Sequence, residues 1–239
     1  GGGGSAWVGR KNPLSLNAIL QLIEVEYEEL EPLTSPAEAM LPDAPKIHPG
    51  GNILCNEKLV RGDAETAINN AAHVVTQHYS TPFTEHAFME PECAIALIEN
   101  QDVLLYTGAQ GIYDDQHEVS RILGIGEERV RVHSKLVGGG FGGKESQAAV
   151  LGCMAAVLAV RNRCPVKYRM PRQDDMVQTG KRHDFWNSYE VGFSNEGEII
   201  AAEYDMVGKC GCTADLSDGV VDRAMFHADS TEPSPWEHR

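Results

Sequence analysis

Long apolar runs are missing from the 239 residues. No stretch reaches the roughly 18 residues that a membrane-spanning helix needs, so no membrane partner is expected. Positive charge is also scarce: 20 Lys and Arg stand against 35 Asp and Glu, a net charge of −15. That balance argues against a nucleic-acid partner, which would call for a basic stripe. Six cysteines are present, yet no two are spaced as C-x-x-C; the nearest are Cys210 and Cys212. Neither a zinc ribbon nor a disulfide framework is expected, and the thiols read as reduced, mostly core residues of a cytoplasmic protein. The first residues, GGGGSAWVGRKNP, have no apolar core of signal-peptide type.

What remains is ordinary globular text, 42% apolar and 23% charged, long enough for one large domain or two small ones. Residues 1–5 are linker-like, and the last nine, TEPSPWEHR, show no periodicity. In the segment 19–30, Ile23, Val25 and Tyr27 alternate with Glu24, Glu26 and Glu28, which predicts a half-buried strand. Proline-rich residues 32–49 predict an extended linker. Asp63 predicts the cap of a helix over 63–72. Strands are expected at 74–80, 93–98, 103–107, 129–137 and 166–170, and short helices at 111–123 and 172–179. In the first of these helices Ile112, His117, Val119, Ile122 and Leu123 are expected to form one buried face, with Gly124 and Gly126 ending it. A helix apolar nearly all round spans 145–160, and a hairpin joins 187–193 to 198–207 around Ser194-Asn195-Glu196-Gly197. Interleaved helices and strands give a mixed α and β class.

The most informative stretch is VGGGFGGKES, residues 137–146, between an expected strand and the buried helix. Five glycines within six positions let a backbone approach a ligand closely, and the helix that follows turns its first amides and its positive dipole end toward it. The letters fit the phosphate loop G-x-x-x-x-G-K, but Glu145 stands where a magnesium-binding Ser or Thr belongs, which rejects a nucleoside triphosphate. Gly138, Gly140 and Gly143 also fit G-x-G-x-x-G. That leaves a dehydrogenase of the NAD type as an alternative, although no acidic residue ends the next strand.

The strings TEHAFMEPE (84–92), TGAQGIYDDQHEVSRILGI (107–125), VGGGFGGKES (137–146), TGKRHDF (179–185) and DRAMFHAD (222–229) occur in that order. Together they resemble the molybdenum-cofactor-binding large subunit of the xanthine dehydrogenase and aldehyde oxidoreductase family. The resemblance implies an α+β fold of mixed sheets with packed helices, the first molybdopterin-binding domain of a molybdenum hydroxylase. It implies residues 1–50 as the remnant of an N-terminal domain plus linker, 51–229 as a partial molybdopterin-binding domain, and 230–239 as an atypical tail.

The resemblance also implies roles. Gln110 would offer its amide to an oxygen on molybdenum, and Gly140, Phe141 and Gly142 would lie against the metal and its pterin, none of them as direct side-chain ligands. Glu145, at the first turn of the helix, would hold the substrate. The implied cofactor is molybdenum-molybdopterin, in some members as the cytosine dinucleotide, with iron–sulfur clusters and FAD on partner subunits. The implied reaction is oxidative hydroxylation of a purine or related heterocycle. The catalytic glutamate of the family lies in its C-terminal part, so no catalytic residue is expected in this chain, which reads as a fragment without activity alone. Arg223 reads as structural, in a salt bridge, and His86 as a hydrogen-bonded, half-buried histidine. A non-catalytic remnant is the remaining alternative.

Overall fold

The structure is a computed structural model and describes residues 16–228. The linker-like start, the tail and Asp229 of the fifth string lie outside the described residues. In chain order the elements are α1 (Leu16–Leu20), α2 (Pro36–Ala39), α3 (Ala64–Asn69), β1 (His73–Thr81), β2 (Cys93–Glu99), β3 (Asp102–Thr107), α4 (Ile112–Leu123), β4 (Val130–Ser134), α5 (Gln147–Asn162), β5 (Val166–Arg169), α6 (Arg172–Gln178), β6 (Phe185–Phe193), β7 (Ile199–Gly208) and α7 (Ser217–Phe226). They form two units. One is built on residues 85–182 together with the described residues up to Leu30; the other is built on 31–84 and the described residues from His183 onward.

The first unit holds a mixed four-stranded sheet in the order β4-β3-β2-β5. Asn100 and Gln101, both at positive φ, turn β2 into its antiparallel partner β3, as a two-residue hairpin loop requires. β3 runs parallel to β4 through the α4 crossover, and β5 closes the other edge antiparallel to β2. A dinucleotide-binding unit would need the strand after α5 to lie beside β4 and parallel to it. Here β5 lies at the opposite edge of the sheet, and the NAD-type alternative fails on topology.

The core of this unit is small-residue packing. Ala155, Ala156 and Ala159 of α5 meet Ala94 and Ala96 of β2, with Leu105, Val119, Val130 and Leu151 filling the rest. α5 can lie this close because Gly152 faces Leu105: a Cβ built there would sit 3.0 Å from Leu105 Cδ2. β4 has the alternation the sequence predicts, with Val130 and Val132 inward and Arg131 and His133 outward.

α4 departs from its expected face. Val119 is buried, but Asp115 and Ser120 take the inner positions, while His117 and Ile122 are exposed. Asp115 is 0% exposed, and neither carboxylate oxygen meets a hydrogen-bond partner among the described residues. Burial pushes its pKa up to about 7; the nearby Thr107 hydroxyl opposes this and Asp114 adds to it. The folded chain thus keeps a proton that the unfolded chain releases above about pH 4. The stability this contributes is full below that pH and is lost as pH rises through about 7. Asp115→Asn is expected to flatten the fall in urea midpoint between pH 5 and pH 8, and to raise stability at pH 8 by about 3 kcal/mol. An unchanged pH slope would assign the titration elsewhere.

The second unit is an antiparallel sheet in the order β1-β6-β7. Its hairpin turn is built by Ser194, whose hydroxyl accepts from the amides of Glu196 and Glu198, and by Gly197 at φ +84°. α3 is capped by Asp63, whose carboxylate accepts from Thr66 N at 3.1 Å, and it packs where Gly192 leaves room beside Ala71 and Ile68. On the sheet, Tyr189 lies between Tyr79 and Tyr204, with ring centroids 5.7 and 5.2 Å away.

Further expectations fail. Residues 23–30 form no strand: Leu22 and Tyr27 are 80% and 81% exposed, and among the described residues no strand pairs with this segment. Alternation alone does not make a strand without a neighbour to accept its hydrogen bonds. The proline-rich stretch is not uniformly extended, because α2 lies in it and Asn52 ties its turns, accepting from Ile47 N and donating to Ala39 O and Pro45 O. Arg223 lies in α7 and makes no ion pair with another described residue. Cys55, Cys93, Cys153, Cys164, Cys210 and Cys212 are free thiols, but they are not mostly core residues: Cys153 is buried, Cys55, Cys93 and Cys210 are half-buried, and Cys164 and Cys212 are exposed. Among the described residues, no helix is long and apolar enough to cross a membrane.

Candidate functional site

The glycine loop, residues 138–144, leaves β4 and enters α5 within the first unit. Its conformation is fixed mostly by contacts within the chain. Gln110 donates its backbone amide to Lys144 O at 2.8 Å. Its side-chain oxygen accepts from Gly142 N at 3.0 Å and Lys144 N at 3.2 Å. Gly143 N closes a tight turn onto Gly140 O at 2.8 Å. The glycines are needed first by the protein itself. A Cβ on Gly140 would lie 2.2 Å from Gln110 Oε1, and one on Gly143 2.7 Å from His86 Nδ1. A side chain at either position would force Gln110 or His86 to move.

The string TEHAFMEPE cradles this loop from the other side. Glu90 Oε2 accepts from Gly138 N at 2.8 Å. Phe88 is buried, and its Cβ lies 3.5 Å from the position a Cβ on Gly139 would take. His86 stacks on Phe88, with ring centroids 6.4 Å apart, and makes no hydrogen bond to another described residue. That corrects the hydrogen-bonded histidine expected there. Burial holds the His86 ring below the ordinary imidazole range; the Glu85 carboxylate partly opposes this and the Lys181 ammonium adds to it. Glu85 pairs with Lys181 at 2.8 Å, which joins the TEHAFMEPE and TGKRHDF strings. Burial alone would raise the Glu85 carboxyl, but hydrogen bonds from Lys181 and from the Ala87 amide bring it below its ordinary value. Arg172 donates to the main-chain oxygens of Phe88 and Met89 and pairs with Asp175 at 3.3 Å.

The lysine that gave the loop its phosphate-loop look points inward. Lys144 is 1% exposed; its ammonium donates to Glu90 O at 2.8 Å and sits 4.3 Å from the centre of the Phe88 ring. It shares this interior with Glu92, itself buried. Burial pushes the Glu92 carboxyl up to about 7; Lys144 opposes this, while Asp175, Asp115 and Glu90 add to it. Sequence reasoning missed Glu90, Lys144 and Arg172 as organisers of the site, because buried charges break the rule by which a core is read.

The structure brings Gln110, Gly140, Phe141, Gly142 and Glu145 together. Phe141 is at the tip, at φ +54° and 74% exposed. A Cβ on Gly142 would lie 3.9 Å from Glu145 Oε1, so the Glu145 carboxylate stands beside the loop. Glu145 precedes the helix instead of sitting in its first turn: α5 starts at Gln147 with Ser146 as its cap. Among the described residues, the amides of Gly139, Gly140 and Phe141 have no partner, and Gly140 is a buried residue. Gln110 Oε1 faces the loop, and Nε2 donates to no other described residue. The result is an open wall with one aromatic ring, several free N–H donors and one carboxylate at its side. Among the described residues no three His, Cys, Asp or Glu side chains gather to bind a metal ion. A metal held here therefore has to bring its own ligands, and the donor set fits an oxygen-rich cofactor approaching the tip.

Residues 47–231 match the sequence model of a family described as the molybdopterin cofactor-binding domain. A probable xanthine dehydrogenase subunit of Bacillus subtilis is 34% identical over 212 residues, covering 88% of this chain and 28% of that protein. The xanthine dehydrogenase of Dictyostelium discoideum is 32% identical over 216 residues, covering 90% of this chain and 15% of that one. Among solved structures, the aldehyde oxidoreductase of Desulfovibrio gigas superposes with a TM-score of 0.75 at 23% identity, over 82% of this chain and 22% of that one. The quinoline 2-oxidoreductase of Pseudomonas putida 86 does so at 0.73 and 24%, over 82% and 25%. The chain spans only 28% and 15% of the lengths of the two dehydrogenases, and the two structural likenesses bear on the fold alone. A family match across most of the chain, carried by a loop whose contacts run through the matched strings, leads to one assignment: the chain belongs to the molybdopterin cofactor-binding domain family of the xanthine dehydrogenase and aldehyde oxidoreductase type.

Proposed function

We propose that this domain is part of a molybdenum hydroxylase that oxidatively hydroxylates a purine-type heterocycle. The observation that carries the proposal is the convergence of Gln110, Phe141 and Glu145 on one loop whose tip amides bond no other described residue. When bound, the molybdenum cofactor supplies the redox chemistry, accepting two electrons as the heterocycle gains an oxygen from water. The chain supplies the rest. Gln110 Nε2 is a neutral donor for an oxygen of the cofactor, with Oε1 fixed by Gly142 and Lys144. Gly140 and Gly142 let the backbone approach without side chains, and Phe141 offers an apolar wall that excludes water. Glu145 accepts hydrogen bonds from ring N–H groups and so favours a purine over a plain aldehyde.

Electrons leave to iron–sulfur and FAD partners, as the family resemblance implies. Six free thiols support a reducing, cytoplasmic setting. The chain alone spans a small part of its relatives and is expected to show no hydroxylation by itself. The test is the full-length protein with Phe141→Asp, which sets a carboxylate at the tip. Wild type is expected to retain molybdenum and pterin and to oxidise hypoxanthine, whereas the variant loses both by more than about 10-fold. Full molybdenum content in the variant would remove Phe141 from the cofactor surface.

A further inference from the structure

The two ends of the glycine loop are held by one residue. Glu90 takes Gly138 N on its carboxylate at 2.8 Å and Lys144 Nζ on its main-chain oxygen at 2.8 Å. Position 138 opens the loop and position 144 ends it. A Cβ on Gly138 would lie 2.6 Å from Glu90 Cβ, so the contact is a close fit of the two residues. Glu90 is itself fixed from behind: Arg172 holds the main-chain oxygens of Phe88 and Met89, and Glu92 N, two residues on, donates to Asp175 Oδ2 at 3.4 Å. Gln110 grips the far half of the loop at Gly142 and Lys144. Between these two grips, residues 139–141 are left without amide partners among the described residues, and that segment is the outward tip.

We propose that Glu90 is a positioning residue, clamping the start of the loop so that Phe141 and the tip amides are held outward beside Gln110. The carboxylate acts as a hydrogen-bond acceptor and does not touch a reacting atom. Its part in the reaction rests on the cofactor reading given above, but the clamp itself can be measured without any cofactor. Gln at this position keeps an acceptor of the same length, Ala removes it, and Asp draws it back by one methylene.

Amide exchange of the purified chain reads the clamp directly. In Glu90→Ala, exchange of the backbone amides of Gly142 and Lys144, both of which donate to Gln110 and not to Glu90, is expected to accelerate about 10-fold, the loss of one hydrogen bond passed along the loop. Glu90→Asp is expected to follow it, and Glu90→Gln to stay near wild type. Unchanged protection in Glu90→Ala and Glu90→Asp overturns the clamp, and a Gln variant as fast as the Ala variant overturns its action as an acceptor. In the full-length protein, Glu90→Ala is expected to lose molybdenum while Glu90→Gln retains it. Faster exchange with full molybdenum retention upholds the clamp and overturns the cofactor reading.

Discussion

Replacing Lys144 with methionine is expected to lower the folding stability of the chain by about 3 kcal/mol at pH 8 and by less than half of that at pH 5. Methionine nearly matches the volume of the lysine stem, so the change removes charge and one donor with little loss of packing. Glu90 O then loses its 2.8 Å partner, and the Phe88 ring loses the cation 4.3 Å from its centre. The larger effect comes through Glu92. Its carboxyl already titrates at about 7 because burial outweighs the attraction of Lys144, with Asp175, Asp115 and Glu90 adding repulsion. Without the ammonium that value rises further. At pH 5 Glu92 is protonated in both proteins and the difference is small. At pH 8 the variant must either keep a buried proton against the solvent or bury an uncompensated anion. Urea midpoints across this range measure it. The double variant Lys144→Met with Glu92→Gln is expected to recover most of the loss at pH 8. A loss equal at both pH values would mean that Glu92 is not the partner.

Glu145→Gln is expected to lower kcat/KM of the full-length protein for hypoxanthine by about 100-fold, while a plain aldehyde is affected less than about 3-fold. The amide has the shape of the carboxylate but neither its charge nor its second acceptor. A hydrogen bond to a charged group contributes about 1.5–3 kcal/mol, and this interaction is made only with a ring that offers N–H donors. Steady-state kinetics on both substrates, with molybdenum content measured beside them, distinguishes a lost substrate contact from a lost cofactor. An equal fall for both substrates would remove Glu145 from substrate recognition.

The sequence was a good guide wherever structure is decided by near neighbours. Asp63 caps α3, the Ser194 turn joins β6 to β7, Gly124 ends α4 in the left-handed region, and the alternation of β4 reads directly into its two faces. The loop and its companions Gln110 and Glu145 were also legible, because five strings kept their order. The misreadings have one physical source. Periodicity assumes that apolar residues go in and charged ones stay out, and that an alternating segment has a strand beside it. Residues 23–30 alternate with no paired strand among the described residues, Asp115 takes a core position, and Lys144 leaves the loop surface for the interior. Such choices depend on contacts far away in sequence, such as Glu90 with Gly138 and Arg172 with Phe88.

Phe141 holds a left-handed backbone conformation, φ +54°, with its ring mostly in solvent. A bulky residue there costs about 1 kcal/mol or more relative to glycine, and a ring that rests on Gly139 and is otherwise mostly exposed gives little back through packing. Directed evolution for heat resistance at this position is therefore expected to replace the aromatic tip with glycine, leaving a hardier domain with a blunted loop.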